Sequence, residues 1–301
     1  MISKKGFRLP YKTERFYVDE EIKAQLFLMR VFGINQALSQ KWIDKKRLYC
    51  EGSVVETKSQ LIIGNIEVIC YEPSSRGLKP IFKTDDFVVY DKPSKILVHP
   101  KNRSTLYSIS DELKATFGNG ANVVHRIDFE TSGLVLCSLS KKNESDLKSL
   151  FKKGEIHKKY IAKVQGHIKK ELIIDEPIAH CDNSTIKIKM CIDKSGKKSI
   201  TKVIPIAYDS IDDATLVEVH PKSGRQHQIR LHLFHVKHSI FGDPIYGQSE
   251  SVADRYLSNK LTDFQRIELT GADRLMLHAS CLDFVYKDQR YIITSQNRLP
   301  I

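Results

Sequence analysis

The stretch that decides the fold is His125-Arg126-Ile127-Asp128-Phe129-Glu130-Thr131-Ser132-Gly133, which leads into the apolar segment Leu134 to Ser138. In an extended chain successive side chains alternate, so Arg126 and Asp128 point to one side. A cation and a carboxylate then share a face beside a glycine turn and before a predicted buried strand. Asp128 is therefore a candidate catalytic group. The alternative is that Asp128 only caps the turn through Thr131 or Ser132.

A second polar segment, His220-Pro221-Lys222-Ser223-Gly224-Arg225-Gln226-His227-Gln228-Ile229-Arg230-Leu231-His232, has the pattern of a loop that opens a helix. On that helix Arg230 would present a planar guanidinium to a carboxylate or a phosphate. The alternative is a solvated basic helix. His232, His235 and His238 recur at a spacing of three, but no nearby cysteine or HExxH motif accompanies them. The sequence therefore predicts no metal site here.

The segment Lys158-Lys159-Tyr160-Ile161-Ala162-Lys163-Val164 has the alternation of a β-strand. It places Tyr160 on one face and Lys159 and Lys163 on the other. An aromatic ring with a polar tip beside lysines suits the stacking of a nucleic-acid base. The same pattern also suits an ordinary edge strand whose lysines discourage aggregation.

The composition limits the class of protein. The chain has 301 residues and is 41% hydrophobic, which is enough for a buried core and one or two domains. No apolar run reaches the roughly 18 residues of a membrane span, and the first residues lack the apolar core of a signal peptide, so we expect a cytoplasmic protein without a membrane partner. The six cysteines are dispersed, which predicts reduced thiols rather than a disulfide framework.

The positive charge is concentrated in the middle of the chain. The net charge of +12 divides into +3 for residues 1–72, +9 for residues 73–170 and zero for residues 171–301. A basic surface attracts polyanions by releasing their counterions, so nucleic acid or anionic lipid becomes the leading partner class. A soluble basic protein with no such partner is the alternative.

The patterning predicts two domains, residues 1–72 and 78–301, separated by the Pro- and Ser-containing segment Glu72 to Gly77. In the first domain, helices are predicted over Glu21 to Val31 and Gln36 to Asp44, followed by short strands. In the second, helical and strand-like patterns mix. Helices are predicted over Ser108 to Phe117 and Lys142 to Lys152, and strands over Phe87 to Tyr90, Leu134 to Ser138, Lys159 to Val164, Thr201 to Tyr208, Thr215 to His220, Leu275 to Tyr286 and Arg290 to Thr294.

Five segments together resemble the RluA family of RNA pseudouridine synthases in content, order and spacing. They are HRIDFETSG at 125–133, KKYIAKVQG at 158–166, HPKSGRQHQIRLH at 220–232, GDPIYG at 242–247 and LMLHASCLDF at 275–284. The resemblance covers roughly residues 80–296. Residues 20–71 look like a degenerate S4 RNA-binding domain, which many members of this family carry.

The resemblance implies an α+β fold: a mixed, largely antiparallel sheet with flanking helices, preceded by a small αα-β S4-like domain. It also implies isomerisation of uridine to pseudouridine in structured RNA, without cofactor or metal. Asp128 matches the family's catalytic aspartate, Tyr160 its active-site tyrosine, and Arg230 the arginine paired with the aspartate. Arg126 matches the arginine that takes the place of the flipped base.

Other residues of the same segments are predicted to contact the RNA. They are His125, Thr131, Arg225, Gln228, Lys158 and Lys159, with Lys142, Lys148, Lys152 and Lys153 as further phosphate-binding candidates. The chain departs from the family motif NKPxGxxVHP at Asp91, where the motif has Asn, and at Lys95, where it has Gly. This difference predicts a turn of different shape there.

The preferred substrate is 23S ribosomal RNA, because an S4-like domain precedes the catalytic domain. A tRNA pseudouridine synthase and a non-catalytic RNA-binding or ribosome-assembly protein are the alternatives. A hydrolase that pairs Ser132 with a histidine is disfavoured, because the GxSxG turn is missing. The resemblance also suggests a monomer.

Overall fold

The computed structural model describes residues 9–299, and the chain folds as two compact units. The N-terminal unit contains the described residues up to 75 together with residues 100–107, and the larger unit contains residues 76–99 and everything described from residue 108 onward. The division between residues 75 and 76 lies within the predicted boundary segment, residues 73–77. Because the sequence around residues 100–107 carries no domain signal, their place in the N-terminal unit was not predicted.

The N-terminal unit packs two helices against a four-stranded antiparallel sheet of order β1-β4-β2-β3. Its elements are β1 (Tyr11–Lys23), α1 (Ala24–Phe32), α2 (Gln36–Asp44), β2 (Leu48–Cys50), β3 (Ser53–Val54) and β4 (Leu61–Tyr71). The core joins apolar side chains of both helices to those of the sheet, among them Leu28, Ile43, Leu48 and Val68. The resemblance of this unit to an S4 domain stays a prediction.

The helix predicted from Glu21 begins three residues later, at Ala24, because Glu21, Ile22 and Lys23 still belong to strand β1. This 13-residue strand was not predicted, and it pairs along most of its length with β4. The second helix matches its predicted bounds. The Asn35 side chain caps it by accepting a hydrogen bond from the Leu38 backbone N–H.

The larger unit is built on a ten-stranded mixed sheet, in which β15 and β8 are the parallel pair and the other pairings are antiparallel. The strand order is β10-β13-β14-β9-β15-β8-β6-β5, with β16 beside β15 and β7 beside β8. The strands are β5 (Phe82–Lys83), β6 (Phe87–Lys92), β7 (Asn122–Val123), β8 (Ser132–Ser138), β9 (His157–Gln165), β10 (Leu172–Asp175), β13 (Ile200–Asp209), β14 (Ala214–Pro221), β15 (Leu277–Tyr286) and β16 (Gln289–Thr294). A separate hairpin consists of β11 (Ile178–His180) and β12 (Met190–Ile192).

Within residues 9–299 five helices belong to this unit, and the α+β prediction is confirmed. They are α3 (Ile109–Phe117), α4 (Lys141–Lys153), α5 (Gln228–His235), α6 (Glu250–Leu257) and α7 (Asp263–Thr270). Strand β8 is buried on both faces, since Leu134 and Leu136 pack with Leu147 of α4 while Val135 and Cys137 pack with α3. Helix α5 covers the other half of the sheet through Ile229 and Leu233. Helices α6 and α7 were not predicted.

Strand β8 begins at a close approach that only glycine permits. Gly133 has φ +108°, and a Cβ atom on it would lie 2.2 Å from the carbonyl oxygen of Ala279 in β15. The residues just before β8, including Asp128, are therefore fixed against the centre of the sheet.

No helix within residues 9–299 is long and apolar enough to cross a membrane.

Candidate active site

A cleft of about 670 Å³ opens on the larger unit where three segments meet. They are the segment before β8, strand β9, and the loop that leads into α5. Nine of the ten predicted site residues line it: His125, Arg126, Asp128, Thr131, Lys158, Tyr160, Arg225, Gln228 and Arg230. The sequence motifs, which lie up to about a hundred residues apart, thus converge on one cavity.

Asp128 and Arg230 form an ion pair inside this cleft. The Nη1 atom of Arg230 donates to Oδ2 of Asp128 at 3.1 Å. The other side of the guanidinium donates to Asp243, from Nε at 2.7 Å and from Nη2 at 2.8 Å. The side chains of Arg230 and Asp243 are 6% and 1% exposed, whereas that of Asp128 is 28% exposed. Asp128 is therefore the member of the trio that a substrate can reach.

Asp243 was not predicted as a site residue, although it lies in the segment GDPIYG at 242–247, one of the five that carry the family resemblance. Its Oδ1 also accepts from the backbone N–H groups of Ile245 and Tyr246, at 2.9 and 3.0 Å. The guanidinium carbon of Arg230 lies 5.2 Å from the centre of the Tyr246 ring. The turn thus holds Arg230 from two directions.

The electrostatics keep Asp128 ionised. Burial favours the neutral acid, but His227 in its protonated form and the permanently charged Arg230 favour the carboxylate, and the pKa of Asp128 lies below its ordinary value. Burial and Arg230 in turn lower the pKa of His227 to about 4, so His227 is neutral near pH 7. Arg230 is therefore the buried cation that keeps Asp128 charged. The cleft contains an aimed, ionised carboxylate at neutral pH.

Tyr160 lies in the middle of β9, opposite Val219 of β14 and Ala279 of β15. Burial, together with the negative charge of Asp128, raises the pKa of its hydroxyl. The hydroxyl is therefore a neutral phenol, able to donate or accept a hydrogen bond in the cleft.

Several cations surround the opening of the cleft. Arg126, Lys152, Lys153, Lys222 and Arg225 line it and are exposed. Lys158 is more buried, and its Nζ donates to the Ser223 carbonyl oxygen at 3.0 Å. Burial lowers the pKa of Lys158 to about 8. The opening is positively charged and suits a phosphate backbone.

Three of the residues predicted to contact RNA, His125, Gln228 and Thr131, are hydrogen-bonded or buried within the protein itself. Burial lowers the pKa of His125 to about 3, and its Nε2 accepts from the Leu136 backbone N–H at 2.9 Å. The Gln228 amide accepts from Ser223 and from the Arg225 backbone N–H, and donates to Thr201 and to the Ile200 carbonyl oxygen. Thr131 is buried, with 2% exposure. Gln228 therefore shapes the wall of the cleft, because both ends of its amide are already hydrogen-bonded, and His125 has its Nε2 atom engaged by the backbone.

Lys159 lies outside the cleft, which corrects its prediction as a substrate contact. It belongs to the opposite face of β9, where its Nζ is 3.7 Å from Oε1 of Glu218. It lines a second cavity on that face, together with His278, Cys281 and Asp283. The alternation of β9 is the physical reason, since it separates neighbours Lys159 and Tyr160. Lys142 and Lys148 also do not line the cleft, and Lys148 pairs with Glu144.

Lys92 is a buried lysine whose structural role sequence reasoning missed. Its Nζ donates to three backbone carbonyl oxygens, those of Pro93 at 3.0 Å, Ile96 at 2.8 Å and Phe129 at 3.1 Å. Burial lowers its pKa to about 7. The contact to Phe129 fixes the peptide directly after Asp128. Within the same turn, Lys95 has φ +62°, a left-handed conformation that glycine favours.

Ser132 does pair with a histidine, at 2.8 Å between its hydroxyl and Nδ1 of His278. Arg274 also donates to this hydroxyl, at 2.8 Å, and Ser132 is 7% exposed. It does not line the cleft, which argues against a hydrolase nucleophile. Among residues 9–299, no group of three or more His, Cys, Asp or Glu side chains is placed to hold a metal ion.

Known proteins share this arrangement of sequence and fold. An uncharacterised RNA pseudouridine synthase of Helicobacter pylori strain J99 is 38% identical over 290 residues, covering 95% of this chain and 96% of that protein. The family described as RNA pseudouridylate synthase matches residues 86–235. The chain belongs to the RluA-type RNA pseudouridine synthases.

Two more distant relatives of this synthase carry substrate names. Ribosomal large subunit pseudouridine synthase D of Zymomonas mobilis is 30% identical, over 71% of this chain and 67% of that protein. The mitochondrial tRNA pseudouridine(32) synthase of Saccharomyces cerevisiae is 33% identical, over 68% of this chain and 45% of that protein. The structure of human RNA pseudouridylate synthase domain containing 1 superposes with a TM-score of 0.60 at 25% identity, over 75% of this chain and 86% of that one.

Proposed function

We propose that this pseudouridine synthase modifies specific uridines of large-subunit ribosomal RNA and that Asp128 carries the chemistry. The observation that carries the proposal is the Asp128–Arg230 pair at 3.1 Å inside a basic cleft. The reaction breaks the bond between ribose C1′ and uracil N1, rotates the base and joins C1′ to C5. The C5 proton then leaves and N1 gains a proton. Because uridine and pseudouridine are isomers, no redox partner is needed.

The uridine has to leave its stack before the reaction, because its sugar and C5 are shielded within structured RNA. Arg126 is exposed and lies two residues before Asp128, so its side chain can fill the space that the flipped base leaves. Lys152, Lys153, Lys158, Lys222 and Arg225 hold the phosphates on either side. These contacts supply affinity and register without choosing a sequence.

Asp128 acts on the flipped nucleotide as a carboxylate. It either attacks C1′ or removes a proton from the sugar, and both roles require the ionised form that Arg230 maintains. Tyr160 stacks on the uracil, and its neutral hydroxyl assists transfer of the C5 proton after the base has rejoined the sugar. Arg230 keeps the carboxylate charged and aimed throughout.

Two observations favour ribosomal RNA as the substrate: the relative named large subunit pseudouridine synthase D and the S4-like sequence of the N-terminal unit. The proposed enzyme works in the cytoplasm as a monomer. Transfer RNA is the second candidate, supported by the relative named for position 32 of mitochondrial tRNA. The recognition of structured RNA depends on shape, so both classes need to be tested.

The test is a map of pseudouridines by carbodiimide labelling and primer extension, across ribosomal and transfer RNA. Three strains are compared: wild type, a gene deletion, and the deletion complemented with Asp128→Asn. We expect a site in large-subunit ribosomal RNA to disappear in the last two strains. Disappearance of tRNA sites alone would reassign the substrate, and an unchanged map would contradict the proposal.

A further inference from the structure

A buried ion pair between Glu130 and Arg266 lies behind the cleft. Nη1 of Arg266 donates to Oε1 of Glu130 at 2.5 Å, and Nη2 contacts the other carboxylate oxygen. The two side chains are 5% and 6% exposed. Glu130 is two residues beyond Asp128, whereas Arg266 comes from helix α7, more than 130 residues later. The pair ties a distant helix to the catalytic segment.

The Glu130 carboxylate is saturated with donors. The Tyr256 hydroxyl of helix α6 donates to Oε1 at 2.7 Å, and the Leu275 backbone N–H donates to Oε2 at 3.1 Å. Burial alone would raise the pKa of Glu130, but the hydrogen bonds and the charge of Arg266 lower it. Glu130 is therefore an ionised, immobile anchor.

Arg266 also contacts the turn that orients Arg230. Its Nη2 donates to the Gly242 carbonyl oxygen at 2.9 Å. Gly242 directly precedes Asp243, the residue that holds Arg230 by two hydrogen bonds. A Cβ atom at Gly242 would lie 1.7 Å from the Arg274 carbonyl oxygen, so this backbone is tightly enclosed. One guanidinium thus contacts both the segment that carries Asp128 and the turn that orients Arg230.

These contacts close a ring. It runs from Asp128 to Arg230, Asp243, Gly242, Arg266 and Glu130, and returns through the Phe129 backbone to Asp128. We infer that Arg266 is a positioning residue for catalysis, which fixes the separation of Asp128 and Arg230 from behind without touching the substrate. The inference rests on the proposed role of Asp128. It assigns a function in the reaction to helix α7, which carries Arg266.

Burial of an ion pair is by itself weak evidence for a gain in stability, because desolvation offsets the attraction between the charges. A misplacement of about 1 Å in a catalytic group can slow a reaction about 100-fold. The contact with Gly242 therefore matters more than the charge of the pair. A variant that removes the hydrogen bond from Tyr256 to Glu130 but keeps the contact between Arg266 and Gly242 should therefore preserve the reaction rate.

The experiment compares Arg266→Met with Tyr256→Phe in the full chain, by single-turnover pseudouridine formation at saturating enzyme and by RNA affinity. Tyr256→Phe removes a hydrogen bond to Glu130 but leaves the contact between Arg266 and Gly242. Ile293→Ala, in the apolar core beside β15, controls for general destabilisation. Arg266→Lys keeps the charge in a smaller group that cannot span both partners.

We expect Arg266→Met to slow the single-turnover rate about 100-fold while the RNA Kd stays within about threefold. The single-turnover rate of Arg266→Lys should lie between those of Arg266→Met and wild type. If Arg266→Met does not fold, Arg266→Lys alone should still react at least about fivefold more slowly than wild type. Tyr256→Phe and Ile293→Ala should keep the rate within about threefold while lowering Tm.

The inference is overturned if folded Arg266→Lys and Arg266→Met react at the wild-type rate, or if these variants lose RNA affinity rather than reaction rate. It is also overturned if Tyr256→Phe or Ile293→Ala slows the reaction as much as the Arg266 variants do. An Asp128→Asn variant is measured in parallel. If Asp128→Asn also reacts at the wild-type rate, the proposed role of Asp128 fails. If Asp128→Asn is inactive and the Arg266 variants are not impaired, only the present inference fails.

Discussion

Asp243 holds Arg230 in a two-pronged hydrogen-bonded pair, at 2.7 and 2.8 Å, and so leaves Nη1 of the guanidinium to face Asp128. The orientation of Arg230 therefore depends more on Asp243, which is buried, than on Asp128, which substrate approaches. This division of roles allows Asp128 to move or react while its counterion stays in place.

Replacement of Asp243 should damage both stability and catalysis. Asp243→Asn removes the buried negative charge and leaves Arg230 with Asp128 as its remaining anionic partner. We expect the free energy of unfolding to fall by about 3 kcal/mol, as for other broken buried pairs. The single-turnover rate should fall about 100-fold because Arg230 is no longer aligned. Urea denaturation and single-turnover kinetics measure the two effects, and a wild-type rate would contradict the role of Asp243.

Lys158 should make RNA binding depend on pH. Its pKa is lowered to about 8, so its charge is present below pH 8 and is lost above it. Between pH 7 and 9, wild-type affinity should fall, and the slope of log affinity against log salt should become less negative by about 0.7 to 0.9, the value of one phosphate contact. Filter binding at several salt concentrations measures both quantities.

Two variants isolate the contribution of Lys158. Lys158→Arg keeps its charge at pH 9 and should lose the pH dependence, while Lys158→Gln should bind weakly at both pH values. If Lys158→Gln shows the same change between pH 7 and 9 as wild type, then another group is responsible.

The Tyr160 hydroxyl should affect the rate rather than binding. Since its pKa is raised, it acts as a neutral phenol. Tyr160→Phe keeps the ring for stacking and should lower the rate of C5 proton release about 100-fold, the typical contribution of a positioned acid–base group. RNA affinity should be unchanged. Rapid-quench measurement of tritium release from 5-tritiated RNA tests this prediction, and an equal loss of affinity would indicate a binding role instead.

Lys92 should stabilise the turn beneath Asp128. Lys92→Met leaves the carbonyl oxygens of Pro93, Ile96 and Phe129 without their common donor. A typical intramolecular hydrogen bond contributes about 0.5 to 1.5 kcal/mol, so we expect the loss of three to lower the free energy of unfolding by about 3 kcal/mol. Urea denaturation measures it, with the exposed Lys95→Met as the matched control. Equal stability of the two variants would contradict this role.

Much of the catalytic unit was predictable from local pattern. The helices α2 to α4 and the central strands follow from apolar periodicity and from capping residues such as Asn35, Ser108 and Ser140. Strand β1 was missed because its charged and apolar residues alternate irregularly and its partner, β4, lies some fifty residues away. Pairing over that distance leaves no local signal.

Site residues that lie in recognisable sequence motifs could be predicted, whereas residues whose role depends on tertiary contacts could not. The resemblance pointed to Asp128, Tyr160 and Arg230, and the fold brings them together. Asp243 was overlooked because an Asp-Pro turn carries no sign of what its carboxylate binds. Lys92 and Arg266 were overlooked because a cation in sequence is normally solvated. Lys159 was placed in the site although the alternation of its own strand separates it from Tyr160.

The most direct test of the account is tritium release from 5-tritiated large-subunit ribosomal RNA by purified wild type and Asp128→Asn. The substitution keeps the shape of the side chain and removes its charge. We predict release by wild type, a rate lower by about 1000-fold or more for Asp128→Asn, and RNA affinity equal within about threefold. A folded Asp128→Asn that releases tritium within about tenfold of wild type would contradict the account.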